Sequence, residues 1–149
     1  MSFLGRKLIA EEESGFILRI SLLQEGISPF MQDADSGILN QLEKELKEYE
    51  EGRRKAFTVP WRIDAGHKGS WAFEAMARIP YGCKVSYGEL AAMGGKPRAI
   101  RAASSWCRKN PLPILLPCHR VIRKDGSLGR YSLGASLKIA LLELESDHD

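Results

Sequence analysis

The segment GILNQLEKELKEYEEGRR, residues 37–54, sets Ile38, Leu39, Leu42, Leu46 and Tyr49 on one helical stripe, with acidic residues opposite and Gly52 as a stop. This spacing predicts an amphipathic helix whose Glu-rich outer face repels phosphates and whose role is structural. Upstream, RKLIAEE and GFILRISLL carry β-branched and aromatic residues and predict a hairpin that turns at Glu13-Ser14-Gly15. FTVPWRIDAGHKGS, residues 57–70, is punctuated by Pro60, Gly66 and Gly69, which predicts a loop and the boundary between an N-terminal and a C-terminal lobe. Beyond it Trp71, Ala75, Met76 and Ile79 recur at helical spacing until Pro80 and Gly82 end the run. There is no internal repeat and no low-complexity tract.

VSYGELAAMGGKPRAIRAASSWCRKNP, residues 85–111, has two helices written into its punctuation. Ser86 and Glu89 have the S-x-x-E spacing of a capping box, so a short helix is predicted from Tyr87, with Leu90, Ala91 and Met93 inward and Gly94-Gly95 as its end. Pro97 suits the first turn of a second helix, where its missing N–H costs nothing, and that helix is expected to run to about Asn110 before Pro111 stops it. Two short helices around a tight glycine turn predict a helix-turn-helix, a motif that docks on duplex DNA. On the second helix the small residues Ala99, Ala102, Ala103, Ser104 and Ser105 surround Arg98 and Arg101, which suits close approach to a groove; small residues serve interior helix packing equally well. Trp106 is expected in the core.

Composition sharpens this picture only in part. At 149 residues and 44% hydrophobic, the chain has enough apolar material for one ordinary domain or two small lobes. Its net charge is +3, but residues 1–75 hold 10 Lys and Arg against 13 Asp and Glu, whereas residues 76–149 hold 12 against 6. The basic half carries the helix-turn-helix, which suits an anionic partner such as nucleic acid; solvated surface charge accounts for the asymmetry equally well. No window approaches a membrane span, and MSFLGRKLIAEEESG lacks the apolar region of a signal peptide, so a cytoplasmic location is expected. Cys83, Cys107 and Cys118 are accordingly expected as thiols.

Candidate chemistry concentrates in NPLPILLPCHRVIRKDG, residues 110–126. Ile114-Leu115-Leu116 predicts a short buried strand or core segment, with Pro117 and Cys118 where the chain emerges into a site. A metal centre is disfavoured, because there is no C-x-x-C or H-x-x-x-H pair and adjacent residues rarely chelate one ion. A phosphatase loop lacks its glycine and has Lys124 in place of the closing arginine. A thiol hydrolase with a Cys-His dyad and a buried inert cysteine both stay open. Beside His119 and Arg120, the thiolate form of Cys118 is expected to be favoured.

PCHRV, preceded by NPLPILL and followed by GRYSLG and LKIALLELE, together with IPYGCKVSYGELA, resembles the O6-alkylguanine-DNA alkyltransferase family over residues 71–145. The first 70 residues resemble it only in layout. The resemblance implies an α/β (α+β) fold. Residues 1–60 are expected as an RNase H-like sheet-plus-helix lobe, and residues 61–149 as a mostly helical lobe with the helix-turn-helix and the active site. It implies single-turnover, stoichiometric DNA repair, in which Cys118 takes the alkyl group of O6-alkylguanine, and of O4-alkylthymine, as a stable thioether. His119 takes the thiol proton through a water, Glu145 orients the imidazole and Asn110 braces the site. The damaged nucleotide is flipped out of double-stranded DNA from the minor groove. Arg101 fills the vacated stack, and Tyr87 crowds the phosphate and helps protonate the leaving guanine.

By the same resemblance Arg98, Ala102, Ser104, Arg108 and Arg120 join the DNA contacts, and Pro113, Gly129, Tyr131 and Ser132 form the pocket and the loop over the flipped base. Ser104 and Ser105 depart from a common glycine, and Arg130 from a smaller polar residue. A monomer is expected, with no cofactor and no metal, since no Cys or His precedes His67. A noncatalytic DNA sensor is disfavoured by Cys118 itself, because such relatives carry another residue there.

Overall fold

The computed structural model describes residues 1–23, 37–64, 66–129 and 131–148. The chain divides into two units, Met1–Ile63 and Asp64–Asp149. In the first, β1 (Ser2–Phe3), β2 (Arg6–Glu13) and β3 (Phe16–Leu22) form an antiparallel sheet in the order β1-β2-β3. The predicted hairpin is present. Ser14 and Gly15 both take positive φ, 54° and 84°, the two-residue turn whose twist matches that of paired strands. The register runs from Leu8↔Leu22 to Glu13↔Phe16, with a shift between Glu11 and Glu12.

Helix α1 (Gly37–Glu50) buries Leu39, Leu42, Leu46 and Tyr49, as its stripe predicts. One of its acidic residues is not on the outer face. Glu45 is 2% exposed and accepts hydrogen bonds from Thr58 N (2.7 Å), Thr58 Oγ1 (2.7 Å), Val59 N (3.2 Å) and Gln41 Nε2 (2.9 Å). Burial raises its pKa, but these hydrogen bonds outweigh that and hold it below the ordinary value. The expected loop after α1 is therefore tied down. It also adds to the sheet, because Ile17 N donates to Pro60 O and Arg62 N to Ile17 O, which bridges Ile17 and Trp61. That bridge carries the first unit on to Ile63.

The second unit comprises α2 (Ser70–Ala77), β4 (Val85–Ser86), α3 (Tyr87–Met93), α4 (Ile100–Arg108), β5 (Val121–Ile122) and α5 (Ala135–Asp147), among the described residues. The capping box forms as predicted: Ser86 Oγ accepts from Glu89 N at 3.0 Å and Ser86 N donates to Glu89 Oε1 at 3.2 Å. The second helix of the pair begins later than predicted, at Ile100 rather than Pro97. Ala99 N bonds Lys96 O, so Pro97 occupies the second position of a turn, another place where its fixed φ is favourable. Helices α3 and α4 pack together, and Leu90, Ala91 and Ala103 on them are fully buried. Strands β4 and β5 pair in parallel, Val85↔Val121 and Ser86↔Ile122, which ties the start of α3 to the residues after Cys118. No helix among the described residues is long and apolar enough to cross a membrane.

Candidate active site

After α4 the chain reverses through a buried turn rather than the short strand that Ile114-Leu115-Leu116 allowed. Leu116 N donates to Leu112 O at 2.8 Å, and Ile114 sits at φ 77°, a conformation that costs a β-branched residue about 1–3 kcal/mol. Asn110 holds this turn at both ends. Its Oδ1 accepts from Leu112 N at 2.9 Å, and its Nδ2 donates to Leu116 O at 2.9 Å and to Cys118 Sγ at 3.1 Å. The amide thus spends both its N–H groups, one on the backbone and one on sulfur. Pro113 is buried within the same turn.

Cys118 opens a short 3-10 turn, Cys118–Arg120, and is 1% exposed. Burial pushes its thiol up to about 11, and the Asn110 hydrogen bond and the positive charge of Lys138 oppose that rise. The expectation that His119 and Arg120 favour the thiolate is therefore corrected: the resting group is a neutral thiol that needs a base. Lys138 is the residue that sequence reasoning missed. It is fully buried on α5 and donates from Nζ to Val121 O (2.6 Å) and Leu128 O. Burial lowers its pKa, while Cys118 and Cys107 favour its charged form. A lysine seven residues before Glu145 and three before Leu141 lies on the buried stripe of α5, a signal available in the spacing.

His119 is fully buried and its Nε2 lies 2.7 Å from Glu145 Oε2. The same carboxylate accepts from Arg120 Nε (2.8 and 3.2 Å), Arg120 Nη2 (2.8 Å) and Gly82 N (3.1 Å). A carboxylate so paired can only accept from the imidazole, so the ring proton is on Nε2 and the lone pair on Nδ1. Among the described residues Nδ1 has no hydrogen-bond partner. Burial lowers the pKa of His119 more than Glu145 raises it, which favours the neutral ring with its lone pair on Nδ1. Tyr131, 7% exposed, stands edge-on to the ring with centroids 6.4 Å apart.

Arg120, expected among the DNA contacts, is instead 7% exposed and holds Glu145, with Nη1 on Ile79 O at 2.6 Å. The remaining expected contacts divide by exposure. Arg98, Arg101 and Arg108 are exposed, and Ala102, Ser104 and Ser105 are half-buried. Arg101, Ser104, Ser105 and Arg108 line one groove on α4 of about 210 Å³. Tyr87 is 8% exposed at the first position of α3. Gly129, at φ 71°, packs so closely on it that a Cβ there would strike the Tyr87 hydroxyl. Ser132 is exposed, and Arg130 lies outside the described residues. Trp106 is half-buried, edge-on to Phe73 and His67. Cys83 and Cys107 are free thiols, the first exposed and the second buried. Among the described residues no cluster of three or more His, Cys, Asp or Glu is placed to hold a metal ion.

This geometry joins a buried thiol, a neutral imidazole oriented by a carboxylate, and a helix-turn-helix in one unit. The family described as 6-O-methylguanine DNA methyltransferase, DNA binding domain, matches residues 71–147. The constitutive methylated-DNA–protein-cysteine methyltransferase of Bacillus subtilis (strain 168) is 36% identical over 149 residues, covering 95% of this chain and 90% of that protein. The methylated-DNA–protein-cysteine methyltransferase of Rattus norvegicus is 55% identical over 56 residues, covering 38% of this chain and 27% of that one. The crystal structure of Mycobacterium tuberculosis OGT in complex with DNA superposes with a TM-score of 0.83 at 33% identity, covering 95% of this chain and 87% of that chain. The chain belongs to the 6-O-methylguanine DNA methyltransferase family.

Proposed function

We propose that this protein repairs DNA by moving the alkyl group of O6-alkylguanine, and of O4-alkylthymine, onto its own Cys118, once per molecule. The observation that carries the reading is the array around the sulfur: Asn110 Nδ2 at 3.1 Å from Sγ, and next to Cys118 a neutral His119 held by Glu145 at 2.7 Å. Sγ attacks the alkyl carbon, the S–C bond forms and the C–O6 bond breaks, its electron pair staying with the guanine. The thiol proton passes to His119 Nδ1 through a bridging water, and Tyr87 helps protonate the leaving base. Lys138 and the Asn110 amide stabilise the developing thiolate. Water does not hydrolyse a thioether, so the reaction is stoichiometric.

The sulfur is buried, so the damaged nucleotide must leave the helix to reach it. In this reading α4 lies in the minor groove of double-stranded DNA, Arg101 fills the vacated stack, and Arg98 and Arg108 meet phosphates. Pro113, Gly129, Tyr131 and Ser132 border the flipped base. The first unit is read as an RNase H-like lobe, and the protein as a cytoplasmic, nucleoid-associated monomer that uses no cofactor. The test is an incubation with a duplex containing O6-methylguanine. Unmodified guanine appears in an amount equal to the protein and then stops, and Cys118→Ala produces none. Continued turnover, or repair by the alanine variant, would reject the reading.

A further inference from the structure

The groove on α4 is lined by two kinds of side chain. Arg101, Ser104, Ser105 and Arg108 follow one another at i, i+3, i+4 and i+7, so all four share one face of the helix. Serines inside a helix often turn back to the carbonyl four residues earlier. Among the described residues neither hydroxyl has a hydrogen-bond partner and neither guanidinium is paired with a carboxylate. The face therefore offers two short groups that both donate and accept, framed by two long cations.

Resting on the reading that α4 enters the minor groove with Arg101 in the vacated stack, the helix fixes where the serines fall. At about 1.5 Å per residue they lie about 4.5 and 6 Å along the axis from Arg101. With base pairs about 3.4 Å apart, that is one to two base pairs from the flipped nucleotide. A serine side chain is too short to reach a phosphate from the groove floor, whereas Arg108, about 10.5 Å along, has the length to do so.

We propose that Ser104 and Ser105 read the base pairs beside the lesion through the minor groove, and that they favour G·C there. An A·T pair shows only acceptors in this groove, so a hydroxyl can donate to it and nothing more. A G·C pair adds the guanine N2 amino donor, so the hydroxyl both donates and accepts. One additional neutral hydrogen bond corresponds to a rate advantage of about three- to tenfold.

The experiment compares single-turnover repair of O6-methylguanine duplexes that differ at the two base pairs on either side of the lesion. The neighbours are guanine in one set and hypoxanthine, which lacks only the N2 amino group, in the other. The expected guanine-to-hypoxanthine rate ratio is about three to ten for the unaltered protein, and about one for Ser104→Ala/Ser105→Ala. Because the ratio is taken within each protein, partial loss of folding does not move it. Equal rates for the unaltered protein overturn the proposal, since the groove would then face phosphates alone. A ratio that survives in the double variant also overturns it, because another group would be reading the amino. Absence of any methyl on Cys118 from either duplex overturns the functional reading and this proposal with it.

Discussion

The side-chain amide of Asn110 bonds the sulfur of Cys118 at 3.1 Å while the same nitrogen holds Leu116 O at 2.9 Å, so one residue sets both the turn before the nucleophile and the hydrogen bond to it. Asn110→Ala removes a donor that favours the thiolate and leaves Leu112 N and Leu116 O without it. The expected loss is about 1–3 kcal/mol in urea unfolding, with a fall of at least tenfold in transfer from free O6-benzylguanine. Asn110→Asp keeps the acceptor for Leu112 N but puts an anion beside the sulfur, so its transfer rate falls further than that of the alanine variant. An aspartate variant as fast as the parent contradicts this role.

Arg120 gives the sharpest separation between a structural and a DNA-binding role. Arg120→Gln removes the charge and the paired contacts on the Glu145 carboxylate, and is expected to cost about 3–5 kcal/mol of stability. Its DNA affinity should keep the salt dependence of the parent, because the group meets no phosphate. Arg108→Ala should do the reverse, with little change in stability and a shallower salt slope. A shallower slope for Arg120→Gln would restore it to the DNA contacts.

The buried thiol carries a pH dependence of definite sign. Its pKa is raised by burial from 9.0 to about 11, so the folded protein favours the neutral form. That contribution to stability is complete below 9 and is lost as pH climbs from there through about 11. Transfer from free O6-benzylguanine rises over the same window as thiolate forms. Lys138→Met removes a charge that pulls the thiol down, so the rise in rate shifts to higher pH. An unchanged pH profile would exclude Lys138 from the nucleophile's environment.

Arg101→Ala separates flipping from chemistry. Repair of a lesion in duplex DNA falls at least tenfold, whereas transfer from free O6-benzylguanine, which needs no flipping, changes by less than about twofold. Equal losses on the two substrates would remove Arg101 from the flipping step.

Local signals carried most of this site. The Ser86–Glu89 box, the Gly94-Gly95 stop and the PCHRV segment each depend on residues next to one another, and each appears where the spacing places it. What the sequence misplaced depends on partners far along the chain. Arg120, expected among the DNA contacts, is buried against a carboxylate that stands 25 residues later, on α5. The buried position of Glu45 follows from a loop 13 residues on, whereas that of Lys138 is legible in the stripe it shares with Leu141 and Glu145 on α5. Pro97 fits either the first turn of a helix or the second position of a turn, and the bond from Ala99 N to Lys96 O makes it the latter. The charges beside Cys118 in the sequence favour a thiolate, whereas desolvation dominates once the turn is folded.

The central claim is that the sulfur of Cys118 ends the reaction bonded to the carbon that left the guanine. Isotope-labelled methyl on O6-methylguanine in duplex DNA, followed by mass analysis of the digested protein, follows that carbon directly. The account predicts one labelled methyl per molecule, on the peptide bearing Cys118 and in thioether linkage. Label on Cys83, on Cys107 or in solvent methanol, with Cys118 unmodified, would contradict it.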